Sequence, residues 1–180
     1  MSSLDSAIAF AATAHTDQRR KYDGLPYITH PIHVMMILHK AGIKDEDMLI
    51  AAVLHDVVED TPCSSEAIYR RFGERVAMLV GELTDVYTSK AYPQFNRAKR
   101  KELERQRIAL TSAEAQTIKY ADFISNTMSI VPNDPGFART YLDEKEKILA
   151  VARKGNSLML SLVEESLAKA QTALMQRSLA

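Results

Sequence analysis

The feature that most constrains the fold is the stretch 49–61, where an apolar run leads into acids grouped around a histidine. On a helix, residues three and four apart share a face. The apolar face of this predicted helix consists of Ile50, Ala51, Leu54, Val57 and Val58. The opposite face consists of His55, Asp56, Glu59 and Asp60. The stretch therefore predicts a helix that buries one side and presents a candidate metal site on the other.

A plainer interpretation of the same pattern is the solvated side of an amphipathic helix. Solvated faces usually mix Lys or Arg with the acids, whereas Asp56, Glu59 and Asp60 stand here without a basic neighbour. Like charges on adjacent turns repel by a few tenths of a kcal/mol per pair. A bound cation would offset that repulsion, and both interpretations stay open on this stretch alone.

Length and charge limit the classes of protein that need to be considered. The chain has 180 residues, which predicts a single domain over residues 1–180. It carries 23 basic and 23 acidic residues, so net charge gives no support to broad nucleic-acid binding. The single Cys63 cannot form an internal disulfide, and no apolar run is long enough to span a bilayer. We therefore expect a cytoplasmic protein with no nucleic-acid or membrane partner. Homo-oligomerisation is left open.

The remaining pattern predicts an all-α fold, a bundle of about eight to nine helices with no convincing strand. Asp45 or Asp47, Ser64 or Ser65, and Ser112 are suitable N-cap residues for successive helices. The breaks between helices are predicted as loops, at 18–27, 86–94 and 131–136. Two helices are expected at the end of the chain, 137–152 and 157–174.

Three further places carry polar groups that could serve a site. His30 precedes Pro31 and is expected at roughly the N-cap of a helix. Arg20 and Lys21 belong to a cationic loop that is either plain surface or a phosphate contact. Asp122 sits among apolar neighbours on a predicted helix, and a buried carboxylate needs a cation or hydrogen-bond donors as partners.

Taken together, His30, His55, Asp56 and Asp122 form a set of two imidazoles and two carboxylates. That set suits Mn, Fe, Co or Zn better than Ca. The spacing on an all-helical chain resembles the HD-domain metal-dependent phosphohydrolases. More narrowly, it resembles the hydrolase domain of the RelA/SpoT stringent-response enzymes. The segments that carry this resemblance are 18–21, 26–32, 51–61, 72–73, 83–85 and 119–122 with Asn126.

The length leaves no room for a synthetase or regulatory domain, so the resemblance is to the stand-alone small alarmone hydrolases. It implies a metal-dependent nucleotide 3′-pyrophosphohydrolase that takes the 3′-diphosphate from ppGpp or ppApp and releases pyrophosphate. The implied cofactor is Mn²⁺, with another divalent transition metal as the alternative, and the implied metal ligands are His30, His55, Asp56 and Asp122.

The resemblance also implies roles for residues outside the metal site. Glu59 and Asp60 would position or activate the attacking water. The implied substrate contacts are Arg20 and Lys21 at the base and phosphates, Asn126 and Ser129 near the ribose, Tyr141 on the following helix and, as a weaker candidate, Arg139 near a phosphate.

Two positions depart from the family pattern. Similar sequences often have Lys or Arg where this chain has Phe123, and often have Arg where it has Met128. Both changes remove a cation near the nucleotide and leave the base, guanine or adenine, undecided. Two alternative functions stay open: hydrolysis of another phosphate ester, such as the 2′-phosphate of NADPH, and non-catalytic nucleotide sensing.

Overall fold

The computed structural model describes residues 3–179, with side chains for residues 3–177. Within that range the chain forms ten helices and no strand, with one isolated bridge between Arg19 and Pro26. The predicted all-α class is therefore confirmed. The chain divides into two compact units, Met1–Thr84 and Asp85–Ala180, which are described separately below. The prediction of a single domain over residues 1–180 stays a prediction.

The first unit is built around one short helix that is buried on every side. Its helices are α1 (Ser3–Ala14), α2 (Thr29–Lys40), α3 (Glu46–Leu54), α4 (Val57–Asp60), α5 (Ser65–Phe72) and α6 (Glu74–Leu83). Helix α3 packs against α1, α2 and α6, and all of its residues from Met48 to Leu54 are buried. A helix that is apolar all round is a core helix. The two-faced helix expected over 49–61 is thus wrong for the part that forms α3, because that part is buried all round and the polar residues begin only at its end.

The predicted single helix over 49–61 is interrupted at the His-Asp pair. His55 and Asp56 join α3 to α4 with backbone angles of φ −58°, ψ −35° and φ −95°, ψ −8°. The second pair of angles approaches the sparsely populated region near ψ 0°. The amide of Asp60 still donates to the carbonyl of Asp56 at 2.9 Å, so the chain resumes a helical path at once.

The second unit contains the four longest helices. They are α7 (Arg97–Leu110), α8 (Ala113–Asn133), α9 (Pro135–Leu149) and α10 (Ser157–Leu179). Helix α8 packs against α9 and α10, and α7 packs against α9. The side chains of Tyr120 and Phe123 on α8, Leu142 on α9 and Met159 on α10 are completely buried between these helices. Helix α8 therefore supplies the centre of this unit.

The helix starts predicted from the sequence agree with the structure better than the predicted loops do. Asp45, Ser64 and Ser112 each cap a helix, and their side chains accept from the amides of Met48, Ala67 and Ala115. The expected loop over 131–136 is wrong, because α8 continues to Asn133 and α9 begins at Pro135.

The proline positions explain this error. Pro132 lies in the last turn of α8, and Pro135 is the first residue of α9. A missing amide hydrogen is tolerated at the first helical position. Asp134 between the two helices caps α9 by accepting from the amide of Phe137 at 3.2 Å.

Among the helices of the described residues, none is both long enough and apolar enough to cross a membrane.

Candidate metal centre and active site

Three predicted metal ligands meet in the first unit. His30, His55 and Asp56 each offer one ligand atom, and these atoms all lie within 4.8 Å of one another. The Nε2 atom of His55 lies 3.0 Å from Oδ2 of Asp56, and the Nε2 atom of His30 lies 3.6 Å from the same oxygen. Two ligands held about 2.1 Å from one metal ion, at right angles, lie about 3 Å apart. The separations therefore fit a shared divalent cation.

The tautomer of His55 is set by its backbone contact. Its Nδ1 atom lies 2.8 Å from the carbonyl oxygen of Ala52, one turn earlier in α3. A carbonyl oxygen only accepts, so Nδ1 carries the hydrogen and Nε2 keeps its lone pair. A histidine fixed in this way by its second nitrogen is the usual arrangement of a metal-ligating imidazole. Both imidazoles are 3% exposed, which keeps competing water away from them.

The turn before α2 and the packing of α2 place His30 beside His55. The turn before α2 is closed by the amide of His30, which donates to the carbonyl of Tyr27 at 2.9 Å. His30 therefore lies in the first turn of α2, one residue inside the helix rather than at its N-cap. Because α2 packs against α3, the His30 and His55 rings approach each other edge to face, with centroids 5.2 Å apart.

Tyr27 is a site residue that the sequence interpretation did not assign. Its hydroxyl donates to Oδ2 of Asp56 at 2.7 Å, and its ring centroid lies 5.9 Å from that of His30. The bond fixes the orientation of the one carboxylate in the group. The only signal in the sequence was its place in the segment 26–32 that leads to His30.

The carboxylates of α4 lie on the surface beside this group. Glu59 and Asp60 are both exposed. Asp60 is held from the N-terminal segment, because Nε2 of Gln18 donates to its Oδ2 at 3.0 Å. The Oε1 atom of Gln18 accepts in turn from Nδ1 of the buried His15 at 2.7 Å. Neither Gln18 nor His15 was expected to act on a site carboxylate.

The two cations predicted to meet substrate lie on a turn of the first unit. Arg20 pairs with Asp23 at 3.3 Å, and Lys21 donates to the hydroxyl of Tyr22 at 3.2 Å. The turn is closed by the amide of Arg20, which donates to the carbonyl of Leu25, and Gly24 adopts a φ of +69° that favours glycine. Lys21 is exposed and Arg20 is partly so. Their contact with substrate stays a prediction.

The fourth predicted ligand, Asp122, lies on α8 of the second unit and is 7% exposed. Its Oδ1 atom accepts from Nδ2 of Asn126 at 2.6 Å, so the expected pairing of these two residues on one helix face is present. Ser129 follows on the same face, seven residues after Asp122. Ligation by Asp122 and ribose contacts by Asn126 and Ser129 stay predictions.

The two predicted substrate residues of α9 lie on different faces of that helix. Tyr141 is buried, and its hydroxyl donates to the carbonyl of Phe123 at 3.4 Å. Burial, and then the charge of Asp122, raise the pKa of Tyr141 well above its usual value. Arg139 is two residues away, about 200° around the helix. It lines a cavity of about 590 Å³ together with Leu142. The geometry thus favours Tyr141 over Arg139 as a neighbour of Asp122.

The fold and the triad together define a helical protein with a His-His-Asp group, in which both histidines are buried, suited to a divalent transition metal. The HD-domain family profile matches residues 7–153. The chain therefore belongs to the HD-domain family.

Several similar proteins are named for the hydrolysis of ppGpp. Human MESH1, named a guanosine-3′,5′-bis(diphosphate) 3′-pyrophosphohydrolase, is 43% identical over 125 residues, which cover 68% of this chain and 66% of MESH1. The MESH1 protein of Drosophila melanogaster is 40% identical over 130 residues, 71% of this chain and 69% of the relative. The match thus spans about two thirds of the length of these relatives. The bifunctional (p)ppGpp synthase/hydrolase SpoT of Escherichia coli is 46% identical over 77 residues, 43% of this chain and 11% of SpoT.

A solved structure with 32% identity agrees with this grouping. A structure described as a metazoan ortholog of SpoT that hydrolyses ppGpp superposes with a TM-score of 0.82 at 32% identity, covering 94% of this chain and 96% of its own. The Listeria monocytogenes protein lmo0812 gives a TM-score of 0.64 at 24% identity, with 82% and 96% coverage, which speaks for the fold alone. The predicted resemblance to the RelA/SpoT-type HD proteins is confirmed.

Proposed function

We propose that this protein is a metal-dependent hydrolase that removes the 3′-diphosphate from an alarmone nucleotide, ppGpp or ppApp, and releases pyrophosphate. The observation that carries the proposal is the group formed by the buried His30 and His55 and the partly buried Asp56, with ligand atoms within 4.8 Å of one another. The names of the MESH1 relatives, ppGpp 3′-pyrophosphohydrolases at 40–43% identity, supply the substrate class.

The proposed cofactor is Mn²⁺, held by His30, His55 and Asp56 with Asp122 as a fourth ligand. Two imidazole nitrogens and carboxylate oxygens form a mixed set that suits Mn, Fe, Co or Zn. When bound, such an ion lowers the pKa of a coordinated water and offsets phosphate charge. The bond between Tyr27 and Asp56 supports this assignment, because it turns the carboxylate towards both imidazoles.

In the proposed reaction, water attacks the phosphorus of the 3′ ester and the bond from that phosphorus to O3′ breaks. Glu59 takes the proton of the attacking water, and Asp60, held by Gln18, orients it. The O3′ leaving group takes up a proton, so that pyrophosphate and the nucleoside 5′-phosphate part separate.

The remaining predicted contacts complete the proposed substrate site. Arg20 and Lys21 contact the base and offset phosphate charge, and Asn126 and Ser129 lie near the ribose. Tyr141 contributes a further contact from α9. Phe123 and Met128 supply no cation to the base. Both the adenine and the guanine alarmone therefore remain proposed substrates. Function in the cytoplasm, without nucleic-acid or membrane partners, belongs to the same proposal.

Two substitutions separate metal binding from chemistry. Asp56→Ala should lose both bound Mn²⁺ and turnover, because it removes the oxygen shared by both imidazoles. Glu59→Ala should keep the metal and lose turnover. Glu66→Ala, an exposed acid of α5 paired with Arg70, is the control and should change neither. Metal content by elemental analysis and pyrophosphate release are measured on the same samples.

Full activity in Glu59→Ala would reject that residue as the proton acceptor. A wild-type protein that binds metal and nucleotide stoichiometrically without turnover would reject the enzyme in favour of a nucleotide sensor. A protein that hydrolyses the 2′-phosphate of NADPH but neither alarmone would leave the metal chemistry in place and change the substrate.

A further inference from the structure

The second unit contains a half-buried cation that the proposed function does not use. The ammonium nitrogen of Lys145, on α9, lies 4.2 Å from the centroid of the Phe123 ring and 4.9 Å from that of Tyr141. In residues 3–177, whose side chains are described, Lys145 makes no hydrogen bond and no ion pair. Its contacts are the faces of two aromatic rings, which stabilise a cation only modestly.

The charged groups around Lys145 do not neutralise its positive charge. Two other ammonium groups face it, Lys119 from α8 and Lys101 from α7. Both of these pair with Asp85, at 3.6 Å and 3.4 Å respectively. Burial acts to raise the pKa of Asp85, but the neighbouring lysines outweigh it and hold that pKa below its usual value. The negative charge of Asp85 is therefore already shared.

Asp122 is the second carboxylate that acts on Lys145, and it is the proposed fourth ligand of the metal. The three lysines therefore share the negative charge of only two carboxylates, Asp85 and Asp122. Of these two, Asp122 is also the proposed ligand of the metal. Burial, followed by the charge of Lys119, lowers the pKa of Lys145 to about 8. A cation that is partly desolvated and incompletely neutralised attracts an anion.

We propose that the ammonium group of Lys145 binds a phosphate group of the nucleotide substrate. The inference rests on the proposed function, and it adds a substrate-binding residue on α9. Phosphate oxygens would supply the missing negative charge through charge-assisted hydrogen bonds. The ammonium group lies over the ring of Phe123, which directly follows Asp122, the proposed metal ligand, on α8. This neighbour supports a place for Lys145 beside the substrate.

The test compares Lys145→Met with Lys147→Met. Methionine keeps the length of the side chain and removes the charge. Lys147 lies on the same helix but is exposed and paired with Asp143 at 2.7 Å, so its loss should matter little. One arm measures KM and kcat for ppGpp and ppApp with Mn²⁺. The other measures the affinity for inorganic pyrophosphate by calorimetry, which needs no turnover.

In the kinetic arm, Lys145→Met should raise KM about tenfold or more while kcat changes little, because one charge-assisted contact to substrate is lost. In the calorimetric arm, its affinity for pyrophosphate should fall by a similar factor. Lys147→Met should match the wild type in both arms. Lys145→Arg, which restores a cation, should recover part of the loss.

Equal pyrophosphate affinity in Lys145→Met and Lys147→Met would overturn the role of Lys145, as would a wild-type protein that binds no pyrophosphate. Failure of the proposed function would instead appear as absence of wild-type turnover in the kinetic arm. A purely structural role predicts that Lys145→Met unfolds more easily than the wild type. Our proposal predicts that it resists unfolding at least as well.

Discussion

At the residue scale, the candidate metal centre depends on a few hydrogen bonds that orient its ligands. The carbonyl of Ala52 fixes His55, and the hydroxyl of Tyr27 fixes Asp56. Such outer contacts set the direction of a lone pair, which decides whether three ligand atoms converge on one ion. The geometry of the group is thus a property of five residues rather than three.

Loss of the Tyr27 hydroxyl tests this view directly. Tyr27→Phe keeps the ring but removes the donor to Asp56, so affinity for Mn²⁺ should fall about ten- to hundredfold. Tyr69→Phe, an exposed tyrosine of α5, is the control. Metal affinity is measured by competition with a chelator. Unchanged affinity in Tyr27→Phe would show that the carboxylate needs no help from the tyrosine.

The lowered pKa of Lys145 predicts a pH dependence of stability. Its folded-state pKa is about 8, against an ordinary value of 10.5. Below pH 8 both states hold the proton, and the charge of the half-buried Lys145 destabilises the fold in full. Between pH 8 and 10.5 the unfolded state binds more protons, so the contribution of Lys145 to the free energy of unfolding rises with pH.

Lys145→Met should therefore be more stable than the wild type near pH 7, and this advantage should shrink as the pH approaches 10. Urea unfolding of both proteins between pH 7 and 10 measures the difference in their free energies of unfolding. A constant difference would mean that Lys145 titrates at its ordinary value. The groups that face Lys145 and could shift the window are Lys119, Lys101, Asp122, Asp85 and Tyr141.

The sequence indicated the three members of the triad as candidate ligands, but it did not indicate the residues that hold the site carboxylates in place. His30, His55 and Asp56 stand out by residue type and spacing, whereas Tyr27 and Gln18 act through tertiary contacts 29 and 42 residues away in the chain. Lys145 was not predicted as a site residue either, because its contacts also arise from tertiary packing. The sequence indicated only that Phe123 lacks a charge, and the cation over its ring comes from the packing of α9 on α8.

At the scale of elements, close packing of α8 against the loop before α10 depends on a glycine. The hydroxyl of Tyr120 donates to the carbonyl of Ala152 at 2.6 Å and accepts from the amide of Gly155 at 3.3 Å. A Cβ atom at Gly155 would overlap the Tyr120 ring, which is completely buried and has no room to move. Only glycine fits at this approach.

Gly155→Ala should therefore lower the free energy of unfolding by about 1–3 kcal/mol, as overpacked cores do. Gly81→Ala is the matched control, because a Cβ there meets nothing within 4 Å. It lies inside α6, where alanine stabilises a helix by up to about 1 kcal/mol relative to glycine. Urea unfolding measures both, and equal effects of one sign would contradict the packing argument.

Element boundaries show what the sequence could and could not provide. Caps such as Ser112 are local and were predicted correctly, since a side chain three residues away satisfies the amide. The joint at His55 and Asp56 was missed, because an apolar run followed by acids has the same periodicity with or without an interruption. Pro132 and Pro135 were taken as one loop, although Pro135 occupies the first position of α9, which tolerates proline, and α8 continues through Pro132 in its last turn.

At the scale of the whole molecule, the single domain over residues 1–180 is a testable prediction. A chain that folds as one cooperative unit unfolds in one calorimetric transition, with equal calorimetric and van't Hoff enthalpies. We expect that result for the metal-loaded protein. Two separated transitions, assigned by following Tyr120 in the second unit and His30 in the first by NMR, would contradict it.

The central claim is that the His-His-Asp group belongs to an alarmone hydrolase, and a side-by-side turnover assay tests it most directly. Purified protein is given ppGpp and ppApp, with Mn²⁺ or with chelator, and the products are separated by ion exchange. We predict pyrophosphate release that requires Mn²⁺ and disappears in Asp56→Ala, with the ratio of the two rates identifying the base. Absence of turnover of both nucleotides by a protein with Mn²⁺ bound would contradict the account.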